Sequence, residues 1–209
     1  MRIICIRITC LLAALGMIAG VAAGAQTDVA LSAYGAFNGA TTGNGTVQSP
    51  ANAAGGLIEL RHISSPLVGY EATYAFNRAN QKYSAQNDAC PVGVIPCILP
   101  TPASISANAH EVTGDWVVSL KLANLRPFAL AGVGLLLDVP SSGQSSTSSA
   151  TKAVFVYGGG LDWGLVPHLG LRLQYRGNLY KAPDMTSRFT STGAFTHTSE
   201  PMIGAYFSF

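Results

Sequence analysis

Three sets of residues stand at spacings that chemistry could use. His197-x-Ser199 and His62-x-Ser64 each place an imidazole two residues from a hydroxyl. On an extended strand, positions i and i+2 share a face, and a His beside a Ser can act as the base that makes it a nucleophile. The competing reading is a polar pair at a strand rim. Cys90 and Cys97 flank the segment PVGVIP. In an oxidising compartment they are expected to form a disulfide, and closing so short a loop contributes about 2–3 kcal/mol in the chain-entropy picture. A metal site would want further His or Cys beside them, and none is close in sequence. The third set is an array of carboxylates and guanidinium groups along the chain. Carboxylate pairs serve acid–base catalysis only where substrate and a positioned water have access, and their spacing shows neither. Gly158-Gly159-Gly160 reads as a bend or close approach in a strand. No phosphate loop, zinc spacing or nucleophile elbow is present. No catalytic residue, cofactor or metal site is therefore expected.

The elements that position these residues form in a chain of unusual composition. Of its 209 residues, 11% are charged and 48% hydrophobic, with 23 Gly and a formal charge of +2. Soluble domains carry about 25% charged residues. Disorder would require the opposite balance. A coiled coil needs abundant Glu and Lys, and a nucleic-acid partner calls for a basic excess. Arg2 and Arg7, the apolar run LLAALGMIAGV and Ala23-Gly24-Ala25 read as a secretory signal peptide. Residues 1–25 are thus expected to be cleaved, leaving 26–209 as one domain. Cys5 and Cys10 leave with it, and Cys10 precedes the apolar run, so it does not read as a lipidation site. Loss of Arg2 and Arg7 brings the 12 basic residues level with the 10 acidic ones. No later stretch reaches the roughly 18 apolar residues of a membrane helix. Residues 125–139 come nearest, but they carry Arg126 and Pro127. An apolar chain without a spanning helix can cross a bilayer only as a closed β-barrel.

Period-two patterning supports that architecture. Segments 28–38, 56–62, 67–77, 110–122, 127–139, 153–163, 169–180 and 200–209 alternate apolar and polar residues. In 169–180, Leu169, Leu171, Leu173, Tyr175 and Leu179 oppose Arg172, Gln174, Arg176 and Asn178. Segment 127–139 is weaker, because Leu130 and Leu136 interrupt the alternation. No charge falls on the apolar faces. A Lys or Arg at the bilayer midplane would cost about 2–4 kcal/mol. Trp116, Trp163, Tyr70, Tyr74 and Tyr157 read as lipid-facing or girdle aromatics. A soluble lipocalin-like barrel is the alternative, but the polar faces are rich in Gly, Ser and Ala, which suits a narrow filled interior. Inward charges are expected at Glu59, Arg61, Glu71, Glu111, Asp115, Lys121, Asp138, Asp162, Arg172, Arg176 and Glu200. Buried charges must be paired, so Arg172 and Arg176 are expected to meet Glu59, Glu71 or Asp115. Such a network either fills and fixes the interior or lines a gated, narrow ion path. Eight strands exclude a wide pore.

The connections, 39–54, 63–66, 78–107, 123–126, 140–151, 164–168 and 181–198, alternate long and short. Membrane barrels have long extracellular loops and short periplasmic turns, which places both termini in the periplasm. The long segments ATTGNGTVQSPANA and SSGQSSTSSA are expected to be solvated, without a packing pattern. Splitting 78–107 or 181–198 would make ten strands. The fold class is an all-β, eight-stranded antiparallel up-and-down transmembrane barrel, and it resembles the small OmpA/OmpX-type outer-membrane β-barrel family. Ile203, Ala205, Phe207 and Phe209 resemble that family's C-terminal assembly signal. The resemblance implies recognition by the outer-membrane assembly machinery and residence in a Gram-negative outer membrane. It implies contact with outer-membrane lipid and lipopolysaccharide, and an extracellular ligand at the loops. The function implied is non-enzymatic: stabilising the envelope or displaying loops for surface contacts. Two alternatives stay open, a narrow passive ion channel and a lipid-modifying enzyme. His197-x-Ser199 resembles the His-x-Ser pattern of outer-membrane lipid A deacylases. That family carries it before the last long loop, where this chain reads Gln174-Tyr175-Arg176-Gly177-Asn178.

Overall fold

A computed structural model describes residues 25–65, 67–86, 99–141 and 147–209. The segment through residue 24, Cys90 and Cys97 lie outside the described residues. Among the described residues ten strands form one antiparallel sheet: β1 (Gln26–Asn38), β2 (Thr41–Gly43), β3 (Thr46–Pro50), β4 (Ala53–Ile63), β5 (Val68–Ala85), β6 (Ala103–Ser119), β7 (Leu125–Pro140), β8 (Ala150–Val166), β9 (Leu169–Lys181) and β10 (Phe195–Ser208). Eight of them are staves. They pair in the order β5-β4-β1-β10-β9-β8-β7-β6, and a β5–β6 ladder closes the cylinder. The start of β1, the end of β10 and the turns β4–β5, β6–β7 and β8–β9 lie at one end, the turn end.

Alternation decides which side chains enter. Along β9, Arg172, Gln174, Arg176 and Asn178 are buried while Leu173, Tyr175 and Leu179 are exposed. The outer face is apolar, with Leu31 and Trp116 each 68% exposed and Val133 66%. Such a continuous belt suits hydrocarbon, in which a closed ladder leaves no backbone group unpaired. Leu130 and Leu136 point inward and are buried with Val117, Phe128, Val154 and Val156. That explains the weak alternation in β7: its interior face is itself partly apolar.

The far end departs from the sequence expectations. Residues 39–54 are not without a packing pattern. Asn44 (φ 50°) and Gly45 (φ 74°) form a two-residue turn joining β2 to β3, the left-handed pair that matches hairpin twist. Thr41, Thr46 and Gln48 are buried. β3 pairs with β5 over 81–85, continuing the edge that β4 occupies lower down. β5 and β6 also run on together to the Tyr83↔Ala103 pair, inside the segment read as a connection. The two extra strands thus come from 41–50, not from splitting 78–107 or 181–198. Lys121, expected inside, is exposed, because β6 ends at Ser119 and the chain has already turned.

Candidate functional site

The barrel's polar chemistry is concentrated inside. Near the turn end, Arg61, Arg126 and Arg172 meet Asp28, Glu59, Glu71 and Asp162, all at most 8% exposed. Arg172 Nε donates to Asp162 Oδ1 at 2.6 Å, and its guanidinium also pairs with Glu59 and, at 3.7 Å, with Asp28. Arg61 Nε donates to Glu71 Oε2 at 2.7 Å, and the same side chain reaches Glu59 and Asp162 at 3.4 Å. Arg126 pairs with Asp28 and, at 2.8 Å, with Asp162. Asp162 thereby joins three guanidinium groups. The Arg61 guanidinium lies 3.9 Å from the Phe128 ring centroid and that of Arg172 5.4 Å from it, so an aromatic face adds to the carboxylates around both cations. Gly160 makes room for this ring, since a Cβ there would fall 2.7 Å from Phe128 Cζ and 2.3 Å from the Leu173 carbonyl.

One turn of side chains further out, Arg176 approaches Glu111 Oε1 at 3.3 Å and Asp115 Oδ2 at 3.7 Å. It also donates to Thr73 Oγ1 and Thr113 Oγ1, each at 3.1 Å. Asn178 Nδ2 donates to Glu111 Oε2 at 2.9 Å. Six side chains singled out from sequence thus form two groups, Glu59, Arg61, Glu71 and Arg172 in one and Asp115 and Arg176 in the other, joined where Glu71 and Asp115 stand opposite each other on β5 and β6. Asp28 and Arg126 escaped the sequence reading. Asp28 has the parity of inward Ser32, so strand alternation carries its signal. Arg126 falls in the connection 123–126 when the segment is read as starting at Pro127, yet β7 begins at Leu125 and Arg126 is already paired with Asp162 across β7 and β8.

The far mouth is capped. Residues 182–194 fold back over it, with Met185 fully buried against Tyr83, Ile105, Ala107 and Ala150. Tyr83 Oη donates to the Pro183 carbonyl at 2.7 Å, and Thr41 and Thr192 hydroxyls meet at 3.2 Å. Burial pushes the Tyr83 pKa upward, so the phenol stays a neutral donor.

The His-x-Ser pairs lie outside the barrel. Ser199 Oγ is 3.5 Å from His197 Nδ1 and accepts from Tyr175 Oη at 3.1 Å, while His197 Nε2 meets Tyr157 Oη at 2.9 Å. Among the described residues no carboxylate touches this imidazole. His62 Nδ1 meets Thr27 Oγ1 at 2.9 Å, and Ser64 Oγ donates instead to the Val68 carbonyl. Ile203, Ala205, Phe207 and Phe209 all face outward along β10 and just past it.

Most of the chain matches known proteins at the level of this architecture. Neisserial surface protein A shares 14% identity over 89% of this chain and 99% of its own, with a TM-score of 0.54. OprG from Pseudomonas aeruginosa shares 10% over 88% and 95%, with a TM-score of 0.55. Ail, the attachment invasion locus protein of Yersinia pestis, was solved with the heparin analogue sucrose octasulfate; it shares 16% over 88% and 99%, with a TM-score of 0.50. A search of curated proteins finds no match. The family described as outer membrane protein beta-barrel domain matches residues 9–197, most of the chain, and the protein belongs to that family.

Proposed function

We propose that this outer-membrane barrel is a non-enzymatic surface protein whose raised outer end makes contacts at the cell surface, with both termini in the periplasm. The observation that carries the reading is the shape of that end. β2, β3 and the far halves of β5 and β6 build a paired ledge beyond the other staves, and residues 182–194 pack onto it. A contact platform gains from such order, because fewer loop conformations are lost on binding. The ledge and rim expose Arg78, Lys82, Lys181 and Arg188 against Asp184 among the described residues. That balance favours anionic partners, including the phosphates of lipopolysaccharide in the outer leaflet.

The folded barrel in detergent should be retained by an immobilised sulfated polysaccharide at low salt and released as salt rises. The double variant Lys82→Ala, Arg188→Ala should elute earlier while keeping its folded gel mobility. Equal elution of parent and variant, or no retention of either, overturns the reading. Orientation has its own test. On intact cells an epitope inserted between Asn44 and Gly45 should be reached by antibody, and one inserted at 122–123 should not.

A further inference from the structure

The seam between β1 and β10 is interrupted. The two strands pair from Asp28↔Ser208 to Tyr34↔Met202 and again at Phe37↔Ser199 and Asn38↔Thr198, skipping Gly35 and Ala36 opposite Pro201 and Glu200. Their other neighbours stay in register there, Ala54 beside Gly35 and Tyr175 beside Pro201. Gly39 N donates to the His197 carbonyl, and Phe209 N to that of Thr27. Hydrogen-bonded pairs alternate along an antiparallel ladder, so Gly35 and Pro201 stand as such a pair too. Proline has no N–H to give. The Gly35 carbonyl therefore lacks the donor its partner should supply, and among the described residues no other donor reaches it.

Depth makes that carbonyl costly. From Thr27, level with Phe209, to Gly35 is eight residues. A strand that rises about 3.3 Å per residue and tilts by about 35–45° puts Gly35 roughly 20 Å from the turn end, inside an apolar band about 25 Å tall. No water solvates a backbone group there. Just beyond, the polar groups of the outer face begin, with Ser199 bonded to Tyr175 and His197 to Tyr157. On the outside, the break lies in an open groove of about 380 Å³ lined by Ala33, Tyr34, Gly35, Pro201, Met202 and Ile203. The Phe37 ring leans over Gly35, since a Cβ there would fall 3.2 Å from it.

We propose that this groove seats one acyl chain of a membrane lipid that bears a hydroxyl near its head group, and that the hydroxyl donates to the Gly35 carbonyl. The groove faces hydrocarbon, so an acyl chain is what lies against it. The carbonyl can only accept, so a plain chain fills the groove and leaves it unpaired, whereas a hydroxyl completes the ladder in place of the proline. The polar groups around Ser199 and His197 hold the head group one step further out, which sets the hydroxyl a few carbons below it. The site is independent of the surface contacts proposed above.

Native mass spectrometry of the folded barrel released from mixed micelles reads which lipid it retains. The probes are two phosphatidylethanolamines in equal amounts, one with β-hydroxymyristoyl chains and one with plain myristoyl chains. The parent should retain the hydroxylated lipid about three- to tenfold over the plain one, the difference one hydrogen bond makes. Pro201→Ala returns an N–H to Gly35. It should retain both lipids equally, keep the folded gel mobility and unfold at the same or a higher temperature. Ala33→Leu leaves the break but fills the groove, and it should lose the preference as well. Val133→Leu, on the outer face of β7, should keep it. Equal retention by the parent, or a preference that survives Pro201→Ala or Ala33→Leu, overturns the proposal. So does loss of the preference in Val133→Leu. Should Pro201→Ala fail to fold, Ala33→Leu decides alone. A two-chain species that Ala33→Leu abolishes overturns the proposal too, by showing that a second copy of the barrel fills the groove.

Discussion

At the scale of single residues, the interior behaves as a coupled ionic lattice. Arg172 holds Asp162, Glu59 and Asp28 at once. Arg172→Leu would leave these buried carboxylates short of a cation, and breaking a buried pair from one side costs about 3–5 kcal/mol. Equilibrium urea unfolding in detergent micelles should show a loss of that order. Lys181→Leu, on the exposed rim, should change stability by less than about 0.5 kcal/mol. The lattice was only partly legible in sequence. Parity along a strand announces that Arg61, Glu71 and Arg172 point inward, but not which partner each takes. Partner choice depends on stave-to-stave register and on how far each guanidinium reaches across the lumen, and neither is local. Arg126 shows the same limit: a two-residue error in a strand end moves it from lattice to turn.

At the scale of elements, the staves were legible within the bilayer and illegible above it, for one physical reason. Inside hydrocarbon the outward face must be apolar, so alternation reads as apolar against polar. Beyond it, β5 still alternates, with Ala79, Gln81 and Tyr83 buried. Its outward residues, Arg78, Asn80 and Lys82, are polar because they meet water. Polar Asn, Gln, Lys and Arg resemble a loop when judged by hydropathy alone. The β2–β3 hairpin did leave a signal: Asn44-Gly45 between threonines and valine is a strong two-residue turn. Replacing Gly45 by Val would force a β-branched residue to φ 74°, at a cost of about 1–3 kcal/mol. The strain falls on the ledge, not on the staves. Gly45→Val should therefore keep the folded gel mobility of the barrel, while limited proteolysis of 39–50 accelerates. Loss of folded mobility would show that the hairpin is part of the barrel's own folding unit.

At the scale of the whole molecule, charge among the described residues is sorted by radius: none on the lipid-facing belt, a lattice within, and a mostly basic rim at the far end. Placing a cation on the belt should be costly. Val133, near the middle of β7 and 66% exposed, tests this directly. Val133→Arg should cost about 2–4 kcal/mol in a bilayer and much less in a micelle that can deform around it. The same radial order bears on conduction. An open path would need a continuous column of water, and three obstacles stand in series: the cap around Met185, Arg176 with its carboxylate and threonine partners, and the layer where Phe128 lies under Arg61. Removing one obstacle leaves two. Deleting 184–192 should therefore give no stable unitary steps in planar bilayers, as for the parent. Steps appearing in the deletion variant alone would mean that the cap is a gate and that the arginine layers below it part readily. Steps in the parent would mean that the lattice opens without help. The expected silence of both follows from eight staves being just wide enough for the side chains they enclose.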